Sequence, residues 1–124
     1  MADTDFYTFA NCQSYSPDIL AGDQVTVDKF GASATEEFKN QLLQYLGSIP
    51  TGASITADMK AAVDFLTVSM FKRFIKDYRA QESWLADYNR KLNAIKEEAV
   101  ATPSDTNQTV VYSSSYRSSQ LKGQ

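Results

Sequence analysis

A chain of 124 residues with 15 acidic and 12 basic side chains, net charge −3, has the length of one domain and the charge balance of an ordinary globular surface. It contains no histidine and one cysteine, Cys12. These absences exclude Ser-His-Asp and Cys-His nucleophile machinery, His-ligated metal or haem, cysteine-only zinc cages and any disulfide within the chain.

Residues 1–5 are acidic and carry neither the basic nor the apolar region of a secretory signal. The most apolar window, residues 65–71, is too short to cross a bilayer and is flanked by Asp64 and Lys72. The expected address is the cytosol of the producing cell, where a free Cys12 stays reduced, with no membrane association. Residues 1–32 read as an extended aromatic N-terminal arm with one short helix. Phe6, Tyr7, Phe9 and Tyr15 are too many rings for a disordered segment and need a surface, in this chain or a neighbouring one. Ser16, Pro17 and Asp18 have the order of an N-cap, a first-position proline and a first-turn acid, and Gly22 suits a stop. The short helix is therefore expected over residues 17–21, followed by an extended piece at Val25-Thr26-Val27.

The helical core is expected over residues 33–100. Ser33 and Glu36 have capping-box spacing, and Phe38, Leu42, Leu46 and Ile49 recur at four, four and three. Leu43 and Tyr45 widen that stripe. This predicts a helix over residues 34–46 closed by Gly47, then a loop containing Pro50 and Gly52. From Thr56 a broader stripe runs through Met59, Val63, Leu66, Met70, Phe74 and Tyr78, flanked by Ala62, Phe65, Phe71 and Ile75. A further stripe holds Trp84, Leu85, Tyr88, Leu92, Ile95 and Ala99. One unbroken helix over residues 56–99 would be about 66 Å long, more than so short a chain can cover. Two antiparallel helices with a break at residues 80–83, capped by Gln81 or Ser83, are the preferred reading; a single rod is the alternative. The expected core is Phe38, Leu42, Leu46, Val63, Leu66, Met70, Phe74, Leu85, Tyr88, Leu92 and Ile95.

Residues 101–124 read as an extended C-terminal tail, with nine Ser or Thr and a strand-like patch at residues 109–112. Val110, Val111, Tyr112, Tyr116, Arg117 and Leu121 are residues a mere linker would not need, and are the candidate partner-binding set. The fold class is mainly all-α: a small antiparallel helical bundle with an N-terminal arm and a C-terminal tail.

Charge is uneven along the chain. Residues 1–58 carry a net −6 and residues 59–124 a net +3. Lys72, Arg73, Lys76 and Arg79 are opposed locally by Asp77 alone, a grouping that suits phosphates or, more plainly, a solvated helix face. The chain has no Gly-rich phosphate loop and no Walker lysine. Asp3 and Asp5 lack the rest of a calcium loop, and Glu36-Glu37 and Glu97-Glu98 read as solvated helix residues. Cys12 has no neighbouring cation to activate it. No residue is singled out as catalytic, cofactor-binding or metal-ligating, and the chain is read as a non-enzyme without a cofactor.

The run from Ile55 to Asp64 leads into an apolar helix ending Phe74-Ile75-Lys76-Asp77-Tyr78-Arg79. Then come the polar Ala80-Gln81-Glu82 and the run Tyr88-Asn89-Arg90-Lys91-Leu92-Asn93-Ala94-Ile95-Lys96-Glu97. This layout, over residues 34–124, resembles the head–tail connector (neck adaptor) proteins of tailed bacteriophages. They pair two such helices after a shorter helix and a Pro-containing loop, and commonly end in an extended tail. The aromatic residues 1–32 depart from that pattern. The resemblance implies a virion structural protein, made in the host cytoplasm and located in the neck. About twelve copies would form a homo-oligomeric ring between the portal protein and a tail-side neck or terminator protein. DNA would pass through the channel without specific binding, past a wall to which the acidic first half contributes. The tail would meet the portal or a neighbouring subunit. Phe6, Tyr7, Phe9, Tyr15, Phe71 and Ile75 are the candidate subunit-interface residues. Two other readings are a soluble helical module that binds one protein through its tail, and a small nucleic-acid binder using the four clustered bases.

Overall fold

The computed structural model describes residues 4–101. It holds four α-helices and no strand among those residues: α1 (Phe9–Tyr15), α2 (Gln24–Leu46), α3 (Ala57–Phe74) and α4 (Tyr78–Ala101). Short 3-10 turns lie at Ala21–Asp23 and Gly52–Ser54. The all-α bundle expected from the periodicity is present, with α3 at its centre in contact with each of the other three helices.

The composition of α3 explains its place. Thr56 caps it, its hydroxyl accepting the Met59 N–H at 3.2 Å. Asp58 in the first turn and Lys72 and Arg73 in the last suit the helix dipole. Met59, Ala62, Val63, Leu66, Val68 and Phe71 are buried, and so are Asp64, Thr67 and Ser69. A helix buried on so many sides must satisfy its polar groups internally. Thr67 donates to the Val63 carbonyl at 2.8 Å, and Ser69 to the Gln81 carbonyl of α4 at 3.3 Å.

The break between the last two helices falls at residues 75–77, not 80–83. Lys76 takes a left-handed backbone, φ 65°, and Asp77 Oδ1 accepts the Ala80 N–H at 3.2 Å. A left-handed lysine followed by a capping aspartate stops α3 as a glycine would, without the glycine that marks such a stop in sequence. Gln81 and Ser83 lie inside α4 instead of capping it. The early stop takes Phe74 and Tyr78 off the buried stripe, leaving them 59% and 56% exposed. Phe74 is therefore not core, and neither is Leu46, which ends α2 beyond its last packed turn. Of the other expected core residues, Met70 and Leu85 are half-buried and the rest are buried.

The N-terminal region differs most from expectation. Its helix is α1, and residues 17–18 form a turn in which the Ile19 N–H donates to the Ser16 carbonyl at 3.0 Å. The piece Val25-Thr26-Val27 is helical, and the boundary expected at residue 33 falls inside α2. Gly31 sits mid-helix because a Cβ there would lie 2.4 Å from the Tyr7 ring. The aromatic segment is laid into the core through that contact: Phe6, Tyr7, Phe9 and Cys12 are all buried. Phe6 meets Phe38 edge-on at 5.7 Å.

Polar groups fix its path. Tyr7 OH donates to Asp28 Oδ1 at 2.7 Å, and the Thr8 N–H donates to Asp64 Oδ1 at 3.1 Å. Thr4 Oγ1 accepts the Tyr7 N–H at 2.8 Å and meets Thr35 Oγ1 at 2.9 Å. Gly47, at φ 73°, closes α2 as expected. The strand-like patch at residues 109–112 and the whole tail set lie outside the described residues.

Leu66→Ala and Leu92→Ala should each cost about 2–5 kcal/mol, while Phe74→Ala should cost less than about 1 kcal/mol. Urea unfolding of the three variants checks this; equal losses at all three would contradict the position of the break.

Candidate interaction surface

The residues singled out for a subunit seam separate into two groups. Phe6, Tyr7, Phe9 and Phe71 are buried within the chain's own core and present no surface to a neighbour, which corrects that expectation for these four. Tyr15 and Ile75 are exposed, at 39% and 44%. Tyr15 belongs to a ring cluster with Phe65 and Trp84, at centroid distances of 5.0 and 6.1 Å. Burial, and then the nearby Asp64 carboxylate, raise its phenol above the ordinary tyrosine value. Val110, Val111, Tyr112, Tyr116, Arg117 and Leu121 lie outside the described residues.

The four-base cluster does not persist in three dimensions. Lys72 is only 6% exposed, and its ammonium is paired with Asp18 in the turn after α1. That hydrogen bond, followed by the one from Ser16, holds the Asp18 carboxyl below its ordinary value. Lys72 thus fastens the N-terminal turn to α3, and Arg73, Lys76 and Arg79 remain at the surface.

Beside them is a groove of about 490 Å³ lined by Phe30, Ser33, Met70, Arg73 and Phe74. Phe30 of α2 and Phe74 of α3 meet edge-on at 5.7 Å and form its apolar wall. Ile75, in the break after α3, and Tyr78, at the start of α4, are exposed as well. Arg73 enters none of the ion pairs among the described residues. The links between α2 and α4 lie toward the other end of α2: Tyr88 OH donates to Gln41 Oε1 at 2.8 Å, and Lys96 Nζ rests 4.2 Å from the Tyr45 ring centroid.

A second hollow of about 380 Å³ is lined by Phe65, Asp87, Arg90, Lys91 and Ala94. Its cations are already matched, Arg90 by Asp87 and Lys91 by Asp58, so it has little to offer an anion. A second apolar patch lies at the far end of α2, where Leu43, Tyr45, Leu46 and Ile49 are 36–53% exposed.

Nothing in the sequence pattern singles out Phe30; Ser33, expected as a helix cap, lies inside α2 and lines the groove, and Leu43 and Tyr45 read only as a widening of the stripe. Leu43 lies about 100° around the helix from Leu42, which is the signal that it points elsewhere. Among the described residues no group of three or more metal-ligating side chains comes together, and no helix is long and apolar enough to cross a membrane. No family model, curated protein or solved structure matches the chain.

The Asp18–Lys72 link has a definite pH sign. A carboxyl whose folded pKa is depressed contributes stability above its unfolded value and loses it as pH falls through the folded one. Asp18→Asn should therefore melt below the wild type at pH 7, with the gap closing below about pH 4. Thermal melts of both proteins from pH 7 to 3 check this; a gap independent of pH would contradict the ionic role.

Proposed function

We propose that the chain is a structural subunit of a tailed-bacteriophage neck, an adaptor that forms a ring between the portal and the tail-side proteins and extends the DNA channel. The layout carries this reading: the antiparallel pair α3 and α4, preceded by α2 and a loop containing Pro50, is the arrangement on which the resemblance rests. Support also comes from what lies at the surface. Ten large apolar side chains are exposed among the described residues, most of them gathered at the two ends of α2. An assembly subunit that works through contacts has a use for such surface.

The folded arm modifies the details of the proposal. With Phe6, Tyr7 and Phe9 committed to the subunit's own core, contacts to neighbours fall to surfaces formed by α2, α3 and α4. The channel wall would draw on exposed acids such as Glu36 and Glu37 of α2, whose charge repels phosphate and lets DNA slide. The nucleic-acid-binding reading loses Lys72, its most deeply engaged base, to Asp18. The C-terminal residues Tyr112 and Tyr116 remain the proposed anchors for the portal or an adjacent subunit, because aromatic anchors dominate interface energies.

Mass spectrometry and cryo-electron microscopy of phage particles from the producing host test the reading. The chain should be present at about twelve copies per particle, as a ring between portal and tail. Its absence from purified particles would overturn the proposal. In co-expression with the portal protein, changing Tyr112 and Tyr116 to Ala should reduce co-elution at least tenfold; changing Ser113, Ser114 and Ser115 to Ala should reduce it less.

A further inference from the structure

Helix α2 carries a receptive groove near one end and an exposed apolar knob at the other. We propose that the two mate between neighbouring copies: the C-terminal turn of α2 in one subunit seats in the Phe30–Met70–Phe74 groove of the next. This rests on the reading of the chain as a ring subunit, and names the seam of that ring.

The first argument is shape and polarity. Leu43 and Leu46, three residues apart on α2, are 47% and 36% exposed, and Ile49 beyond the left-handed Gly47 is 38% exposed. These exposed apolar side chains at the C-terminal end of α2 suit a groove of about 490 Å³ lined by two phenylalanines and Met70.

The second argument is charge. The last turn of α2 contains no basic residue. The Leu43 carbonyl accepts the Gly47 N–H at 3.0 Å; the carbonyls that follow carry the negative end of the helix dipole without a cation of their own turn. Lys96 is held over the Tyr45 ring and makes no hydrogen bond to them among the described residues. On the groove side, Arg73 is a guanidinium fork in no ion pair among the described residues, and Lys76 and Arg79, close to it in sequence, are exposed as well. Arg73 of one copy would hold the carbonyl end of the next copy's α2 as the knob enters the groove.

The third argument is that the contact cannot close within one chain. Ser33 in the groove and Leu43–Leu46 in the knob lie on the same continuous helix, about 15–20 Å apart along its axis. A straight helix cannot bring its own end back to its own flank. The two mating surfaces differ, so the contact is heterologous, and it builds either a closed ring or an open filament.

The test uses the full-length chain in two double variants, each confirmed folded by circular dichroism. One blocks the groove (Arg73→Glu with Phe74→Ser) and the other blocks the knob (Leu43→Glu with Leu46→Glu). All four positions border solvent or the groove. Analytical ultracentrifugation up to about 1 mM should show wild-type assembly beyond a dimer and each variant alone as a monomer. An equimolar mixture should form a one-to-one dimer and stop, because one intact knob meets one intact groove. A monomeric wild type, a variant that assembles normally, or a mixture that stays monomeric would each overturn the seam. So would a truncation of residues 102–124 that abolishes assembly while the knob variant retains it, since the tail would then be the occupant. If either double variant melts early, Arg73→Gln alone should weaken assembly roughly tenfold, and unchanged assembly overturns the seam. The mixture result stands whether or not the chain is found in phage particles. A chain found in particles whose variants assemble normally would leave the neck reading standing and remove only this seam.

Discussion

The Tyr7 ring lying flat against the backbone of Gly31 sets the rest of the architecture. A methyl group at residue 31 would sit inside that ring. Its absence lets the N-terminal segment lie directly on α2, with the phenol reaching Asp28. Once Tyr7 is placed, Phe6 falls on Phe38, and the Thr8 N–H falls on Asp64 of α3. Cys12 follows one turn later, its Sγ 3.7 Å from Asp64 Oδ1. α1 is only seven residues long, too short to hold together in isolation. It persists because α2 and α3 supply its apolar contacts and because the buried Asp64 receives the backbone at its start.

Where periodicity alone decided the outcome, the fold was legible in the sequence. Phe38 and Leu42, Val63 and Leu66, and Leu92 and Ile95 recur at helical spacing and are buried. Thr56 and Gly47 announce their caps by residue type. What was not legible involved residues acting against type. Gly31 resembles a helix stop and is a close-approach site. Lys76 resembles a surface base and is a left-handed stop. Ser16-Pro17-Asp18 has the order of a helix start, but Asp18 is drawn to Lys72 and the segment turns instead. For Gly31 and Asp18 a partner distant in sequence decided the conformation, and single-chain propensities carry no record of such partners; for Lys76 the stop is local, but it takes a backbone that lysine rarely adopts.

The candidate surface was legible by the same measure. Exposed apolar residues at the end of a helical stripe look like core when only the stripe is read; Leu46 and Phe74 are the examples. Their exposure follows from where the helices end, which in turn follows from Asp77 and Gly47. The aromatic arm gave the opposite error. Phe6, Tyr7 and Phe9 look available because no long local helix hides them, yet they are buried against α2 and α3. The chemistry that carries the functional reading is therefore contact chemistry, gathered at the two ends of one helix.

That helix has one more consequence. α2 runs unbroken for 23 residues and bears the groove wall near its start and the knob at its finish. Its rise of about 1.5 Å and its turn of about 100° per residue fix both the spacing and the relative bearing of the two. It acts as a ruler: adding a single residue between Ser33 and Leu43 would swing the knob by more than a quarter of a turn. Additions of about seven or eleven residues would bring the two faces back to within about 20° of the same bearing. The length of α2 is thus the dimension of the subunit least free to drift.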